Sequence, residues 1–244
     1  MKVTVKGKVA LVSGANRGIG KAITEALLEK GASKVYAGAR NIATLSEMKA
    51  KYGARLIPVE LDVTKDDTIA DAAKTAADID ILINNAGVLT YGNFAQGNLL
   101  ESMQSNFDVN VWGVVKLTQA FYDKLKESES GAILTISSIV GLASMPSILT
   151  YSASKAAVHS IVQGLRGELK DSNLLVAGVY PGPIDTDMAK GFEMEKDSPE
   201  NVAKNIIKGI EEGIEDIYPD GMSSQIGQAY FTSPKSIESQ FAGM

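Results

Sequence analysis

The chain contains no cysteine, and that absence removes disulfides, thiolate–zinc sites and thiol nucleophiles from the chemistry open to it. It agrees with a reducing compartment, and a cytoplasmic protein is expected. Histidine is almost as scarce. His159 is the only one, so a histidine-rich zinc site is impossible and no metal is expected. A Ser-His-Asp hydrolase would have to recruit His159 from within a helix, where a surface or interface role is the expectation. No dense Lys/Arg stripe is present and the formal charge is −5, which argues against nucleic acid as a partner. No apolar run follows Lys2 and Lys6 before the first strand, so no secretory signal is evident. The one long uncharged stretch, Gly131 to Ser154, is interrupted by Gly141, Pro146 and several serines. That suits a buried strand and an active-site loop, not a membrane span. Repeats, low-complexity tracts and linkers are also missing. With 244 residues, seven prolines and 45% hydrophobic composition, one domain with one sizeable core is expected over residues 1–244.

Lys8-Val9-Ala10-Leu11-Val12 reads as a buried strand, Ser13 to Gly20 as a glycine-rich turn, and Ile23, Leu27 and Leu28 as the apolar face of a helix that Gly31 ends. Strand, glycine turn and helix together suit a dinucleotide phosphate, which must approach backbone N–H groups and the positive end of a helix. The spacing is Gly14-x-x-x-Gly18-x-Gly20. A second strand at 34–38 is followed by Arg40 where an acidic residue would hydrogen-bond a ribose 2′-hydroxyl. Arg40, helped by Arg17, would instead pair with a 2′-phosphate, which implies NADP(H) over NAD(H). Asn41 is expected to cap a helix through Lys51, and a third strand starts at Leu56. Asp62 after it is open to two readings, an acceptor for an adenine amino group or a helix-capping carboxylate.

A fourth strand over 79–83 leads into Asn84-Asn85-Ala86-Gly87, with Asn84 expected to brace the sheet. One long helix is expected from Leu99 to Lys126, with Asn110 inside it bonding backbone groups or water. A fifth strand at 132–136 ends in Ser137-Ser138. The next helix, from near Tyr151 to about Asp171, carries Tyr151 and Lys155 four residues apart and hence on one face. A cation beside a phenol of ordinary pKa about 10 stabilises the phenolate and lowers that value, so the pair is a candidate general acid/base. A sixth strand over 174–180 leads to Pro181-Gly182. The charged and apolar residues of 187–198 read as a mobile lid, 199–212 as a helix and 214–218 as a last strand, while the tail carries no regular pattern.

Alternating strands and helices predict an α/β fold, a doubly wound parallel sheet of about seven strands of the Rossmann type. With the glycine turn, Asn84 to Gly87, Asn110, Ser138, Tyr151/Lys155 and Pro181-Gly182 in that order, the sequence over about residues 6–220 resembles the classical short-chain dehydrogenases/reductases. Ser13 stands where that family more often has Thr, and it keeps a hydroxyl. The resemblance implies a catalytic tetrad of Asn110, Ser138, Tyr151 and Lys155, with Ser138 thirteen residues before the tyrosine. It also implies a cofactor wall of Gly14, Asn16, Arg17, Gly18, Ile19, Gly20, Arg40, Asp62, Val63, Asn85, Ala86, Gly87, Tyr151, Lys155, Pro181, Gly182, Ile184 and Thr186.

In a ketone reduction Ser138 and Tyr151 would stabilise the developing oxyanion, and Tyr151 would supply the proton. Lys155 would hold ribose hydroxyls and lower the tyrosine pKa, and Asn110 would position a relay water. The expected substrate walls, Val140, Leu142, Ala143, Leu149, Met188, Phe192 and Met194, are apolar and lack a clamp for carboxylate or phosphate. A neutral hydrophobic ketone or secondary alcohol is therefore expected, as for a carbonyl reductase or alcohol dehydrogenase. A 3-oxoacyl-thioester reductase of fatty-acid synthesis and a non-catalytic dinucleotide-binding regulator are the rival readings. The resemblance further implies a homo-oligomer, a tetramer or a dimer, through the helices near 99–126 and 151–171.

Overall fold

Strand β1 (Val9–Ser13) has four of its five residues buried. A strand covered on both faces needs the unbroken apolar run found there. The structure is a computed structural model and describes residues 1–95 and 97–243. From β1 the chain alternates through α1 (Gly18–Glu29), β2 (Lys34–Ala39), α2 (Ser46–Tyr52), β3 (Leu56–Glu60), α3 (Asp66–Thr75) and β4 (Ile81–Asn84). Next come α4 (Leu99–Phe107), α5 (Gly113–Lys126), β5 (Gly131–Ile136), α6 (Leu149–Glu168), β6 (Leu174–Val179), α7 (Pro199–Glu212), β7 (Asp216–Ile217), α8 (Gly221–Thr232) and α9 (Pro234–Ala242). The seven strands form one parallel sheet in the order β3-β2-β1-β4-β5-β6-β7. This is the doubly wound Rossmann architecture that the alternation predicts. Chain direction across the sheet reverses between β1 and β4, and ligands bind outside the carboxyl ends of strands at such a switch point.

Each face of the sheet has its own core. On one face Ile23, Leu27 and Leu28 of α1 and Val202, Ile206 and Ile210 of α7 pack over Val12, Ile83 and Leu134. On the other, Leu117 and Phe121 of α5 and Val158 and Val162 of α6 cover Leu11, Leu82 and Ile133. Each such side chain contributes about 1.5–3 kcal/mol relative to exposure. A third cluster lies beyond the sheet edge, where Ile226 of α8 and Ile237 and Phe241 of α9 meet Ile139, Val140, Ile148 and Tyr151. The tail thus folds back over the carboxyl end of the strands.

Local chemistry sets the helix ends. Ser198 caps α7 by accepting from the Asn201 N–H, Pro199 occupies its first turn, and Gly213 closes it at φ 74°, so the helix spans the residues that the sequence predicts. Asn41 caps as expected, but a 3-10 turn over Ile42–Leu45 intervenes before α2. The helix expected over 99–126 is divided, because Asp108–Trp112 is a π-helical turn between α4 and α5. Asn110 sits in that turn, fully buried, and the wider turn directs its amide at the backbone of Val88. Helix α6 ends at Glu168, three residues short of the expected Asp171, and β7 pairs with β6 over only two residues. No helix among the described residues is long and apolar enough to cross a membrane.

Candidate active site

The carboxyl ends of β1, β2, β4, β5 and β6 open onto a cavity of about 650 Å³. Its floor at one end is the glycine turn. Gly14 (φ 65°) and Gly18 (φ 52°) adopt the left-handed backbone that glycine alone takes without strain. A Cβ on Gly20 would stand 2.2 Å from the Gly14 carbonyl oxygen, so α1 and the turn close on each other only with glycine there. A Cβ on Gly18 would stand 3.2 Å from the Thr186 methyl across the cavity, and its absence leaves a cradle open between the turn and Thr186. Arg17 begins α1 with no side-chain cap, so the first N–H groups of the helix remain available to an anion.

Ser13 and Asn85 hold this turn against β4. The Ser13 hydroxyl donates to the Ile83 carbonyl (3.3 Å) and accepts from the N–H groups of Asn85 and Ala86 (3.0 Å each). The Asn85 amide donates to the carbonyls of Ser13 (2.9 Å) and Gly14 (3.1 Å). The hydroxyl at position 13 therefore adds a side-chain tie at the carboxyl ends of the first and fourth strands, beyond their backbone ladder. Asn84 braces the sheet as expected, donating to Thr118 (2.9 Å) and more weakly to Thr135 (3.4 Å). Arg40 and Asp62 stand on the wall beside the turn. Partial burial raises the Asp62 pKa, but the N–H and hydroxyl of Thr64 with the Lys65 and Arg40 charges outweigh it and lower the net value.

Ser138, Tyr151 and Lys155 converge where this floor meets an apolar chamber. The Ser138 hydroxyl accepts from the Val140 N–H and donates to the Pro181 carbonyl, both at 3.3 Å, which fixes it at the end of β5. Lys155 lies one helical turn beyond Tyr151 with its ammonium 5.6 Å from the tyrosine ring centroid, and it donates to the Ile136 carbonyl at 2.7 Å. Burial brings the Lys155 pKa down to about 8. Burial also pushes the Tyr151 phenol above its ordinary value, so the lowering expected from the neighbouring cation is reversed. The ring is 9% exposed and the ammonium spends its nearest contact on a backbone oxygen, so desolvation outweighs the cation. Asn110 stands behind these residues. Its oxygen accepts from the Val88 N–H, and its amide donates to the Val88 carbonyl and to Ser154, all within 3.0 Å.

The chamber beyond Tyr151 is lined by Val140, Met145, Ile148, Phe192, Met194, Met222 and Phe241. Its roof is clipped at both ends. Arg17 pairs with Asp187 at 3.6 Å, and Asp197 exchanges backbone hydrogen bonds with Pro183 and Asp185. Asp220 ties in the tail: it caps α8 and accepts from the Gly182 N–H at 2.8 Å.

With this geometry in place, the likeness to known proteins is direct. The short chain dehydrogenase family model matches residues 8–197. The chain belongs to the short chain dehydrogenase family. It is 35% identical to an oxidoreductase of Staphylococcus epidermidis over 210 residues, 83% of this chain and 90% of that protein. It is equally similar, over 77% of its length, to 78% of the 3-oxoacyl-acyl-carrier-protein reductase of Aquifex aeolicus. A short chain dehydrogenase from Burkholderia cenocepacia, solved in complex with NADP, superposes with a TM-score of 0.88 at 35% identity over 99% of both chains.

In this chain every residue expected to face a cofactor lies on the cavity wall. Of the tetrad, Ser138, Tyr151 and Lys155 line the cavity, and Asn110 sits one layer behind. Val140, Met188, Phe192 and Met194 of the expected substrate walls line it, whereas Leu142, Ala143 and Leu149 do not. Leu142 and Ala143 pack against the third cluster, and Leu149 is the half-buried first residue of α6. Met145, Ile148, Met222 and Phe241 take their place. Phe241 and Met222 carry no periodic signal, and only the fold brings the tail to the cavity. His159 proves half-buried, with Nδ1 2.7 Å from the Tyr180 hydroxyl.

Proposed function

We propose that this dehydrogenase is an NADP(H)-dependent carbonyl reductase and secondary-alcohol dehydrogenase acting on neutral, hydrophobic substrates. The observation that carries the reading is the placement of Ser138, Tyr151 and Lys155 on the seam between a glycine-floored cradle and an apolar chamber. When bound, NADPH supplies the hydride that a carbonyl carbon accepts. The glycine turn and the start of α1 hold its pyrophosphate, Arg17 and Arg40 its 2′-phosphate, and Asp62 and the backbone of 85–87 the adenosine side. Arg40 is exposed and its chain neighbours at the end of β2, Ala39 and Asn41, carry no carboxylate, which favours the phosphorylated cofactor.

Charge grows on the carbonyl oxygen during reduction; the Ser138 hydroxyl, turning from its 3.3 Å bond to the Pro181 carbonyl, and the Tyr151 hydroxyl are the donors for it. Tyr151 delivers its proton to that oxygen, and its raised pKa keeps it protonated at neutral pH. Lys155 binds ribose hydroxyls and is the group from which the tyrosine is reprotonated. Gly87 leaves the space between Asn110 and Lys155 open, since a Cβ there would stand 3.2 Å from the Asn110 oxygen and 3.8 Å from the ammonium. A relay water fits that role. In the oxidative direction Tyr151 takes the proton back. Residues 187–198 act as the lid, with Met188, Phe192 and Met194 meeting the substrate. The exposed Leu100 and Trp112 around α4 and α5 support assembly into a homo-oligomer.

Loss of NADPH or NADH absorbance with a panel of aryl and alkyl ketones, and with a 3-oxoacyl thioester, tests the reading. NADPH-dependent reduction of simple ketones that disappears in Tyr151→Phe is the expected result. Activity confined to the thioester would transfer the protein to fatty-acid synthesis, a reading that the Aquifex relative favours. Equal use of NADH would remove the role given to Arg17 and Arg40. NADPH binding without turnover of any substrate in the panel would favour the regulator.

A further inference from the structure

Tyr151 stands in the first turn of α6, where backbone N–H groups have no partner within the helix. Ile148, at the N-cap position, supplies no side-chain cap. A helix start of this kind frays unless something else holds it. The two residues that flank Tyr151 are both buried hydroxyls, Thr150 at 0% and Ser152 at 1% exposure. Ser152 accepts from the Met145 N–H at 3.2 Å. Thr150 belongs to a closed ring of hydrogen bonds with Thr90, Ser102 and Asn106.

Within the ring, Asn106 accepts from the Thr90 N–H (3.1 Å) and donates to the Thr90 carbonyl and to the Thr150 hydroxyl (3.0 Å each). The Thr150 and Ser102 hydroxyls lie 2.7 Å apart, and Ser102 donates to the Thr90 carbonyl at 2.9 Å. The Thr90 hydroxyl donates to the Ser102 carbonyl at 3.1 Å. One direction of donation satisfies every side-chain hydrogen: Asn106 to Thr150, Thr150 to Ser102, Ser102 to the Thr90 carbonyl, and the second Asn106 hydrogen to that same carbonyl. Ser102, Asn106 and Thr150 are all at least 95% buried. Such a network is rigid when complete and costly when one member is missing.

We propose that Thr150, Asn106 and Ser102 are positioning residues for Tyr151, tethering the uncapped start of α6 to α4 and to the loop at Thr90. The inference rests on Tyr151 being the acid of the proposed reaction. Thr150 is adjacent to the tyrosine, and neither it nor Ser102 nor Asn106 lines the cavity, so the ring holds the turn that carries the phenol without touching substrate. It is separate from the brace that Asn110 makes through Ser154 one turn later.

The test compares Thr150→Val, which keeps shape and removes the hydroxyl, with Thr150→Ser, which keeps the hydroxyl. Ser172→Ala, beyond the far end of α6, serves as a control for deleting a partly buried hydroxyl away from the tyrosine. Hydrogen exchange of the amides of residues 150–154 is read alongside kcat and the KM for NADPH. The expected result for Thr150→Val is exchange at least tenfold faster in that turn, a kcat lowered at least tenfold and a KM for NADPH within about threefold, since small misplacement of a reacting group costs rate before binding. Thr150→Ser is expected to restore most of the rate, and Ser172→Ala to leave both the turn and kcat alone. Unchanged exchange in Thr150→Val would overturn the inference whether or not any ketone is reduced. An unchanged kcat in a variant with faster exchange would overturn it too. If the wild-type protein reduces no carbonyl substrate, the proposed function falls, and the exchange result alone decides whether the ring holds this turn.

Discussion

The two ends of the cavity are built by different means. At the proposed cofactor end, backbone is what faces the ligand, and side chains such as Ser13 and Asn85 hold that backbone in place. Three of the glycines there are present for what they lack, since a single methyl at Gly20 would meet a carbonyl at 2.2 Å. At the proposed substrate end, flexible apolar side chains from the 187–198 segment and from α8 and α9 make the wall. A backbone cradle fits one ligand shape and tolerates little change. A wall of methionine and phenylalanine can be re-cut by substitution while the chemistry beside it is kept. Tyr151 stands on the seam, and so belongs to both.

The largest effect should come from that seam. Tyr151→Phe is expected to lower kcat by roughly 10³ with NADPH affinity kept, because general acid catalysis contributes about 10²–10⁴. An equal loss of affinity, measured by NADPH fluorescence titration, would show that the tyrosine serves binding instead. Next comes Phe241→Ala. It empties a fully buried site over Tyr151, so a stability loss of about 3–5 kcal/mol is expected in urea unfolding, with larger ketones then accepted. Unchanged preference across a series of ketone sizes would remove the tail from the substrate wall. Gly20→Ala is expected to cost about 1–3 kcal/mol through overpacking and to weaken NADPH binding. If calorimetry found binding intact, the rigid-cradle side of the comparison would fail.

Arg40→Ala is a smaller and more selective perturbation. Losing one charge-assisted contact of about 1.5–3 kcal/mol should weaken NADPH by at least tenfold and leave NADH unchanged in paired kcat/KM measurements. The pH dependence is the mildest effect and has two opposed signs. Lys155, with its pKa brought down to about 8 by burial, loses its charge above that pH in the free enzyme, so reductive kcat/KM should decline as pH rises past about 8. Stability moves the other way. Between about 8 and the ordinary 10.5 the unfolded chain binds the proton that the folded one has released, so the unfolding free energy should rise with pH over that window. Parallel rate and urea profiles would reveal the divergence, and trends of the same sign would remove Lys155 as their cause.

Sheet and helices could be read from the sequence because each buried strand is a short apolar run and each helix repeats its apolar residues at helical spacing. The cradle could be read because glycine spacing is itself the code for a backbone that must come close. The phenol pKa went the other way because a cation four residues off is visible in the chain, whereas burial by Phe241 and Ile237 comes from residues about ninety positions later. Leu142, Ala143 and Leu149 are apolar and lie in the right loops, but only the direction of each side chain tells wall from support. The π-helical turn escaped for a related reason. Val109, Asn110 and Val111 look like an ordinary helical stretch, and the demand for a wider turn comes from the backbone of Val88 across the molecule.

That turn has a consequence for how the gene can change. An α-helix advances about 100° per residue, so the extra residue in 108–112 sets the rotation of α4 relative to α5. Removing any one residue there would heal the helix into regular form. Either Ser102 and Asn106 would then swing away from α6, or Leu117 and Phe121 would swing away from the sheet. The stretch should therefore accept many point changes on its outer side and almost no loss of a codon, a length constraint that a deletion scan through 105–115 would expose as sharply as any active-site substitution.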